Sequence, residues 1–467
     1  VLTELDKNTL IGYQAGKALS GSAGGGTHTF VGYKAGAANT IGNSNTFVGS
    51  EAGTSITNGL QNTAMGRGAL ATADGGEQNN VAIGMFAMNS VNNDSSDDNI
   101  IIGLEAGKGG TGTFSRNVAI GTVALRNSAG NATYNNVAIG YNSANDLSGG
   151  HSNVMVGYGT GDVATTASGS VFLGFDAGGT LTTGNDNIAI GNDAMNGAAT
   201  TGDNNIAIGV SAGDALTSAY QNVLIGRNAG GSINTGDYNT AVGDNALKSA
   251  TNGQYNVAIG LNAGDVTTTG DRLTLIGTAA GRGAIDNDGQ GTVAVGYAAY
   301  NAGTSGIGNT AVGYEALSAE DDGDKSTAIG YQALTDQTGT TGTVGNTAIG
   351  YQAGQSVLTG VRNTYIGAAA GNKGSGSAAD DNTAIGFRSL RVNTSGSRNT
   401  SLGAYSVQQM VNARDTVAIG YYTLANALTS TDIDGSVAIG SFSQAENKTG
   451  IGNTSVGFET LLADVNG

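Results

Sequence analysis

The chain of 467 residues contains no Cys, no Pro and no Trp, and only two His. Without Cys there are no disulfides and no thiolate metal sites, and the absence says little about compartment. Without Pro, every backbone N–H is free to enter a ladder. Lys and Arg number 19 against 36 Asp and Glu, a formal net charge of −17. So few cations disfavour nucleic acid and anionic membranes as partners, and the acidity favours solubility of a long fibre. No run of about 18 apolar residues exists, so neither a transmembrane helix nor membrane insertion is expected. Large side chains are few, and the apolar content is mostly Ala, Val and Ile. Such a chain fills a thin, continuous core.

What is present is Gly, 81 residues of it, and one phrase written 26 times. The phrase reads N-[T/V]-A-[I/V]-G-x-x-A, as in Asn187-Ile188-Ala189-Ile190-Gly191 and Asn346-Thr347-Ala348-Ile349-Gly350. Of the 25 intervals between successive central glycines, 15 are 17 residues and the rest are 18 to 20. A period this short and regular describes a stacked solenoid. The expected fold is all-β, a parallel β-solenoid (β-roll) of about 26 coils, one continuous repeat array over 1–467. At ~4.8 Å per coil the array would be roughly 120 Å long. No stretch is left for a catalytic domain, so function must reside in shape and surface. The chain opens at Val1 without Met and ends at Asn466-Gly467, near where another repeat would begin. It reads as a processed chain or a piece of a larger one.

Positions are numbered here from the central glycine. Position −3 is Thr, Val or Ile and position −1 is Ile, Val, Leu or Met in all 26 copies. Two apart in an extended chain means one face, and β-branched residues favour the pleated conformation. A strand is expected there, with −3 and −1 facing inward. Position −2 should then face outward, yet it is mostly Ala, with Phe30, Phe47, Phe172, Leu224 and Tyr365 among the exceptions. A strand apolar on both faces is buried on both. That predicts a partner on the −2 face, the simplest being another copy of the chain.

Position −4 is Asn in 19 copies. Asn187, Asn205, Asn222, Asn239 and Asn256 exemplify an expected ladder of stacked amides, each donating to one neighbour and accepting from the other. The central glycines, among them Gly191, Gly209, Gly226, Gly243 and Gly260, should supply positive φ or close backbone contact at a corner. Position +3 is always Ala, Ser or Thr, and +4 is Gly or a larger residue. Position −7 is Gly in 15 copies and marks another turn. One coil thus reads as two short strands, about −4 to −1 and +1 to +4, followed by a polar loop of variable length.

The phrase Asn-Thr-Ala-Ile-Gly-Tyr-Gln-Ala-Gly, at 346–354 and nearly at 8–16, resembles repeats in bacteriophage tail-fibre proteins. It also resembles the S-V-A-I-G-x-x-S/A repeat of YadA-like trimeric adhesin heads, as in Ser436-Val437-Ala438-Ile439-Gly440. The resemblance covers essentially the whole chain. It implies a left-handed parallel β-roll, trimerised side by side and working in attachment. Autotransporter heads repeat at a shorter interval than the 17 or more residues here.

Chemistry is sparse. His28 stands at −4, where it should substitute for Asn, and His151 lies in a turn. No nucleophile elbow or paired His exists, so no enzyme activity and no catalytic, metal or cofactor site is expected. The acidic turns Asp286-Asn287-Asp288-Gly289 and Asp321-Asp322-Gly323-Asp324 hold oxygen ligands of the Ca²⁺ type but complete no Ca²⁺ loop. They read as solvated turns. Tyr recurs at +1 (Tyr13, Tyr33, Tyr141, Tyr158, Tyr297, Tyr314, Tyr331, Tyr351, Tyr421), where packing at a strand start is favoured over sugar stacking. The Thr column at −3 shares a face with aliphatic −1, so it reads as buried and not as an ice-binding array.

The expected function is a structural attachment protein, an extracellular fibre or adhesin head on a phage tail or bacterial surface. Its partners would be itself, as a homotrimer, and a cell-surface glycan or receptor. A self-assembling extracellular filament subunit is the second reading. A monomeric glycan- or Ca²⁺-binding solenoid is the third.

Overall fold

The computed structural model describes residues 7–20, 26–73, 75–128, 131–197, 199–286, 290–338, 342–373, 379–426, 433–446 and 450–462. They form an all-β, parallel β-solenoid of about 25–26 turns, without helix among the described residues. The chain divides into two compact units, Val1–Thr235 and Gly236–Gly467. The same coil builds both.

Each coil contributes one three-residue strand at −3 to −1, as in Ile188–Ile190 and Val257–Ile259. Neighbouring strands pair parallel and in phase. Ile188, Ala189 and Ile190 stand beside Ile206, Ala207 and Ile208, and Val257, Ala258 and Ile259 beside Thr274, Leu275 and Ile276. A minor ladder runs near −7 and −6, where Phe114–Ser115 pairs with Thr133–Tyr134.

Two expectations are corrected. The first is which way the strand faces. In every one of these strands but the first, −2 is buried, while −3 and −1 are half-buried or exposed. Ala189, Ala207 and Ala258 lie inside the coil, wholly shielded from solvent. The aliphatic −1 column and the Thr, Val and Ile of −3 form the outer face. The cause is room: a coil this short cannot enclose two rows of β-branched side chains, so the small residue goes inward.

The second correction concerns +1 to +4, which is a run of turns and not a strand. Residues at +2 and +4 adopt left-handed φ, for example Asp193 and Met195, both at 53°. Such residues cannot lie in a pleated strand. The run is still tied across coils, with Asp193 N donating to Phe175 O and Met195 N to Ala212 O, both at 3.0 Å.

A left-handed Leu or Met costs about 1–2 kcal/mol. Burying it returns about 1.5–3 kcal/mol. The core therefore prevails at +4, and Leu125, Met195, Leu247 and Leu317 are all fully buried there.

Interior volume is shared by rule. All nine coils with a large residue at −2 carry Gly at +4, and 14 of the 17 with Ala or Ser at −2 carry a side chain at +4. At Gly36 an added Cβ would come 2.6 Å from the Phe30 ring. The three coils with Ala at −2 and Gly at +4 are filled by neighbouring side chains. A Cβ on Gly213 would meet Leu216 of its own coil at 2.8 Å and Leu224 of the next at 2.9 Å, one on Gly264 would meet Leu275 of the next coil at 2.8 Å, and one on Gly354 would meet Leu334 of the preceding coil at 2.8 Å and Tyr365 of the next at 3.0 Å. Large residues on successive coils stack, as Phe30 does on Phe47 with centroids 4.9 Å apart.

This rule makes a testable prediction at Ala189 and Met195. Ala189→Phe alone should destabilise by about 1–3 kcal/mol through overpacking. Met195→Gly alone should cost about 2–5 kcal/mol through a cavity. Together they should cost less than their sum, by about 1–3 kcal/mol. Urea unfolding of the four proteins measures this, and strict additivity would refute shared volume.

Candidate functional site

The −4 column forms the expected ladder, inside the coil. Asn187 Oδ1 accepts from Asn205 N at 2.8 Å and Asn205 Nδ2 at 3.2 Å. Asn205 Oδ1 accepts from Asn222 N at 3.1 Å and Nδ2 at 3.0 Å. In the second unit Asn239 Oδ1 accepts from Asn256 N at 3.1 Å. Each Nδ2 also donates to the −7 carbonyl of the next coil, as Asn205 to Ala219 O and Asn256 to Gly270 O, both at 2.8 Å. The amide thus satisfies backbone groups as well as its neighbour, a use the sequence reading missed. These five Asn are buried, so leaving any of their polar atoms unpaired would be costly.

At His28, Ser170 and Ser326 the substitute keeps part of the bonding, whereas Leu273 at −4 carries no polar side-chain atom. His28 Nδ1 accepts from Asn45 N at 3.3 Å, and Nε2 lies 3.0 Å from Gly42 O. The Nε2–H tautomer is assigned from these partners. Burial holds the His28 pKa below its usual value, outweighing the two backbone bonds that raise it. Ser170 Oγ accepts from Asn187 N at 3.2 Å. At Ser326 the path detours through the core. Gln337 Nε2 donates to Ser326 Oγ at 3.0 Å, and Gln337 Oε1 accepts from Asn346 Nδ2 at 2.9 Å.

The central glycines hold φ of +135° at Gly191, +138° at Gly209, +132° at Gly226, +138° at Gly243 and +135° at Gly260. A Cβ on Gly209 would stand 2.5 Å from Gly226 O. Both conformation and close approach therefore require glycine.

The other candidate residues are spread along the edges of the coil. His151 stacks on Tyr134 with centroids 4.7 Å apart. It borders an open groove of about 380 Å³ together with Ser152, Ser168, Asn185, Asp186 and Asp203. Asp203 Oδ1 in that groove accepts from Asn185 N at 2.7 Å. His151 Nδ1 lies 3.4 Å from Ser152 Oγ, too far for an activated nucleophile.

Of the acidic turns, 287–289 lies outside the described residues. In the other, Asp322 Oδ1 accepts from Thr304 Oγ1 at 2.6 Å and Ser305 Oγ at 2.8 Å, which holds its pKa low. Asp324 Oδ1 accepts from Ile307 N at 2.8 Å. These oxygens already serve the adjacent coil. Among the described residues no three His, Cys, Asp or Glu are placed to hold a metal ion.

The +1 tyrosines are exposed and, except for Tyr421, lie face to face along the coils. Tyr297, Tyr314, Tyr331 and Tyr351 stack in sequence with centroids 5.1, 5.1 and 5.3 Å apart. A ring inside such a stack has its faces covered by its neighbours, which leaves only its edge and hydroxyl for a ligand. Beside this column runs the −3/−1 face, where Met65, Leu173, Ile259, Ile329 and Leu402 are all exposed. No family model, no curated protein and no solved structure matches the chain.

Two predictions follow from these columns. Asn205→Leu would strip Asn222 N and Ala219 O of partners, at roughly 1–3 kcal/mol for each buried group. A lower melting midpoint and faster exchange of the Asn222 amide are the expected readouts. The second concerns charge. Asp162 has its pKa raised above 3.8, first by burial and then by the Asp176 and Asp146 carboxylates. An acid with a raised native pKa favours the native state below its unfolded value and loses that contribution as pH rises through the native value. Asp162→Asn should therefore raise the melting midpoint at neutral pH, and the difference should vanish in acid well below 3.8.

Proposed function

We propose that the chain is a structural attachment protein, an extracellular fibre or adhesin head at a bacterial surface or on a phage tail. It works as a homotrimer whose subunits meet along the −3/−1 face. The observation that carries this reading is that face. Aliphatic and β-branched side chains stand on it at every coil, half-buried or exposed. Monomeric soluble proteins rarely leave contiguous apolar surface beyond a few hundred Å², and here the column recurs in both units. A self-partner satisfies it because an identical chain presents the same repeat at the same rise.

Three further observations support the reading. The net charge of −17 is unsuited to nucleic acid. The buried Asn of the −4 ladder hold successive coils together, and the reading needs no cofactor and no catalytic residue. The repeat's resemblance to phage fibres and adhesin heads favours a place outside the cell, at its surface or on a virion.

Locating the seam at −3/−1 instead of −2 changes the test. Ala189, Ala207 and Ala258 are interior, so Glu at any of them would break the coil itself. Ile190→Glu, Ile208→Glu and Ile225→Glu together leave the interior intact and place charge in the seam, where an unpaired buried charge is strongly destabilising. Light scattering should give about three chain masses for the parent and about one for the triple variant, with equal strand content by circular dichroism. A monomeric parent would overturn the trimer.

A further inference from the structure

The two outward columns of the strand differ in one respect. Position −3 is Thr in 13 of the 26 coils, whereas −1 is Ile, Val, Leu or Met in all 26 and never Thr. Both columns belong to the same three-residue strands, and both stand half-buried or exposed, as at Thr347 and Ile349. Thr, Val and Ile all suit a strand. A lone chain in water therefore gives no reason to keep hydroxyls out of −1. Neither column holds a charged residue in any coil, so a second copy of this acidic chain can approach there without facing charge.

The −3 hydroxyls are also unused within the chain. Thr40, Thr165, Thr217 and Thr394 donate to carbonyls of the next coil. The −3 threonines from Thr310 to Thr400 make no side-chain hydrogen bond among the described residues. They stand in register, Thr310 beside Thr327, Thr327 beside Thr347 and Thr383 beside Thr400.

We infer, resting on the trimer reading, that the −3 columns of three chains meet at the trimer axis. Each Thr there joins the same Thr of the other two copies in a closed ring of hydroxyls. Each hydroxyl in the ring donates to one neighbour and accepts from the other, so none is left unpaired when the seam closes. A hydroxyl buried against −1 would meet only aliphatic side chains and go unpaired, which is costly. Where −3 is Val or Ile, as in every coil from Val81 to Val223, the three-fold contact is purely apolar. Register follows from the order of the column. Thr240, Val257, Thr274 and Val293 alternate on successive coils. Sliding one chain by one coil sets Thr against Val across that stretch, and the hydroxyls lose their partners. The −1 column is left as the wholly apolar flank of the seam.

The chain has no Cys, so single-Cys variants report the contact without background. Light scattering first establishes the parent as a trimer. Thr347→Cys and Val154→Cys should then each give interchain disulfides under mild oxidation, because like residues at the axis lie within about 7 Å, the reach of a disulfide. Ile349→Cys and Val156→Cys should give none. A second pair of variants tests the hydroxyl itself in one coil, where Val154 stands at −3 and Val156 at −1. Val156→Thr should weaken trimerisation about tenfold or more, read as the concentration at which the trimer dissociates. Val154→Thr adds a complete ring and should leave it within about twofold. Equal effects of the two, or disulfides from Ile349→Cys and not from Thr347→Cys, overturn the inference and leave the trimer standing. A monomeric parent removes both.

Discussion

Seventeen residues closed into one turn leave, between −2 and +4, room for a single large side chain. That limit sets the rest of the structure. It sends the β-branched residues of −3 and −1 outward, keeps +3 at Ala, Ser or Thr, and makes glycine at +4 the companion of Phe, Leu or Tyr at −2. It also explains why Leu and Met accept left-handed φ at +4. The interior is the only place where their apolar surface can be removed from water, and the gain exceeds the conformational cost.

The same narrowness raises the stakes for polar groups. A backbone amide turned into so thin a core has no water within reach, so a side chain must meet it. Asn at −4 does this with both ends of its amide. The exceptions define the requirement better than the rule does. His28 supplies an acceptor and a ring nitrogen facing a carbonyl, Ser170 supplies an acceptor alone, and Ser326 needs Gln337 to complete the path. Thr292 and Ser436 instead donate to the −7 carbonyl of the next coil, and Leu273 does neither, so the coil favours a polar side chain at −4 without requiring one.

Much of this was legible in the sequence. The strand at −3 to −1, the glycine corner, the Asn ladder and the role of His28 all followed from residue type and spacing. The facing of the strand did not, because hydrophobicity alone ranks Ile and Val above Ala as core. The clue was volume: large −2 with Gly at +4, as in Phe172 and Gly178 or Leu275 and Gly281, is a pattern only an interior pair produces. The run from +1 to +4 was misread because alternating large and small residues suit a strand as well as a chain with left-handed φ at every second position. Dihedral angles of that kind leave little trace in composition once Leu and Met accept them. The tyrosine column showed its existence in sequence but not that its rings cover one another.

The pairing of −2 with +4 also bears on how such an array can change. The two positions lie six residues apart in one coil, so a single substitution at either is penalised until the other follows. Exchange or duplication of a whole coil carries both members together and stays neutral in the interior. The coils of Gly209, Gly260 and Gly350 are different. Their vacant volume is shared with adjoining coils, by Leu224 at Gly213, by Leu275 and Leu247 at Gly264, and by Leu334 and Tyr365 at Gly354, and they travel safely only with those neighbours. The heritable unit of this molecule is thus one coil in most places and a block of adjoining coils in these three.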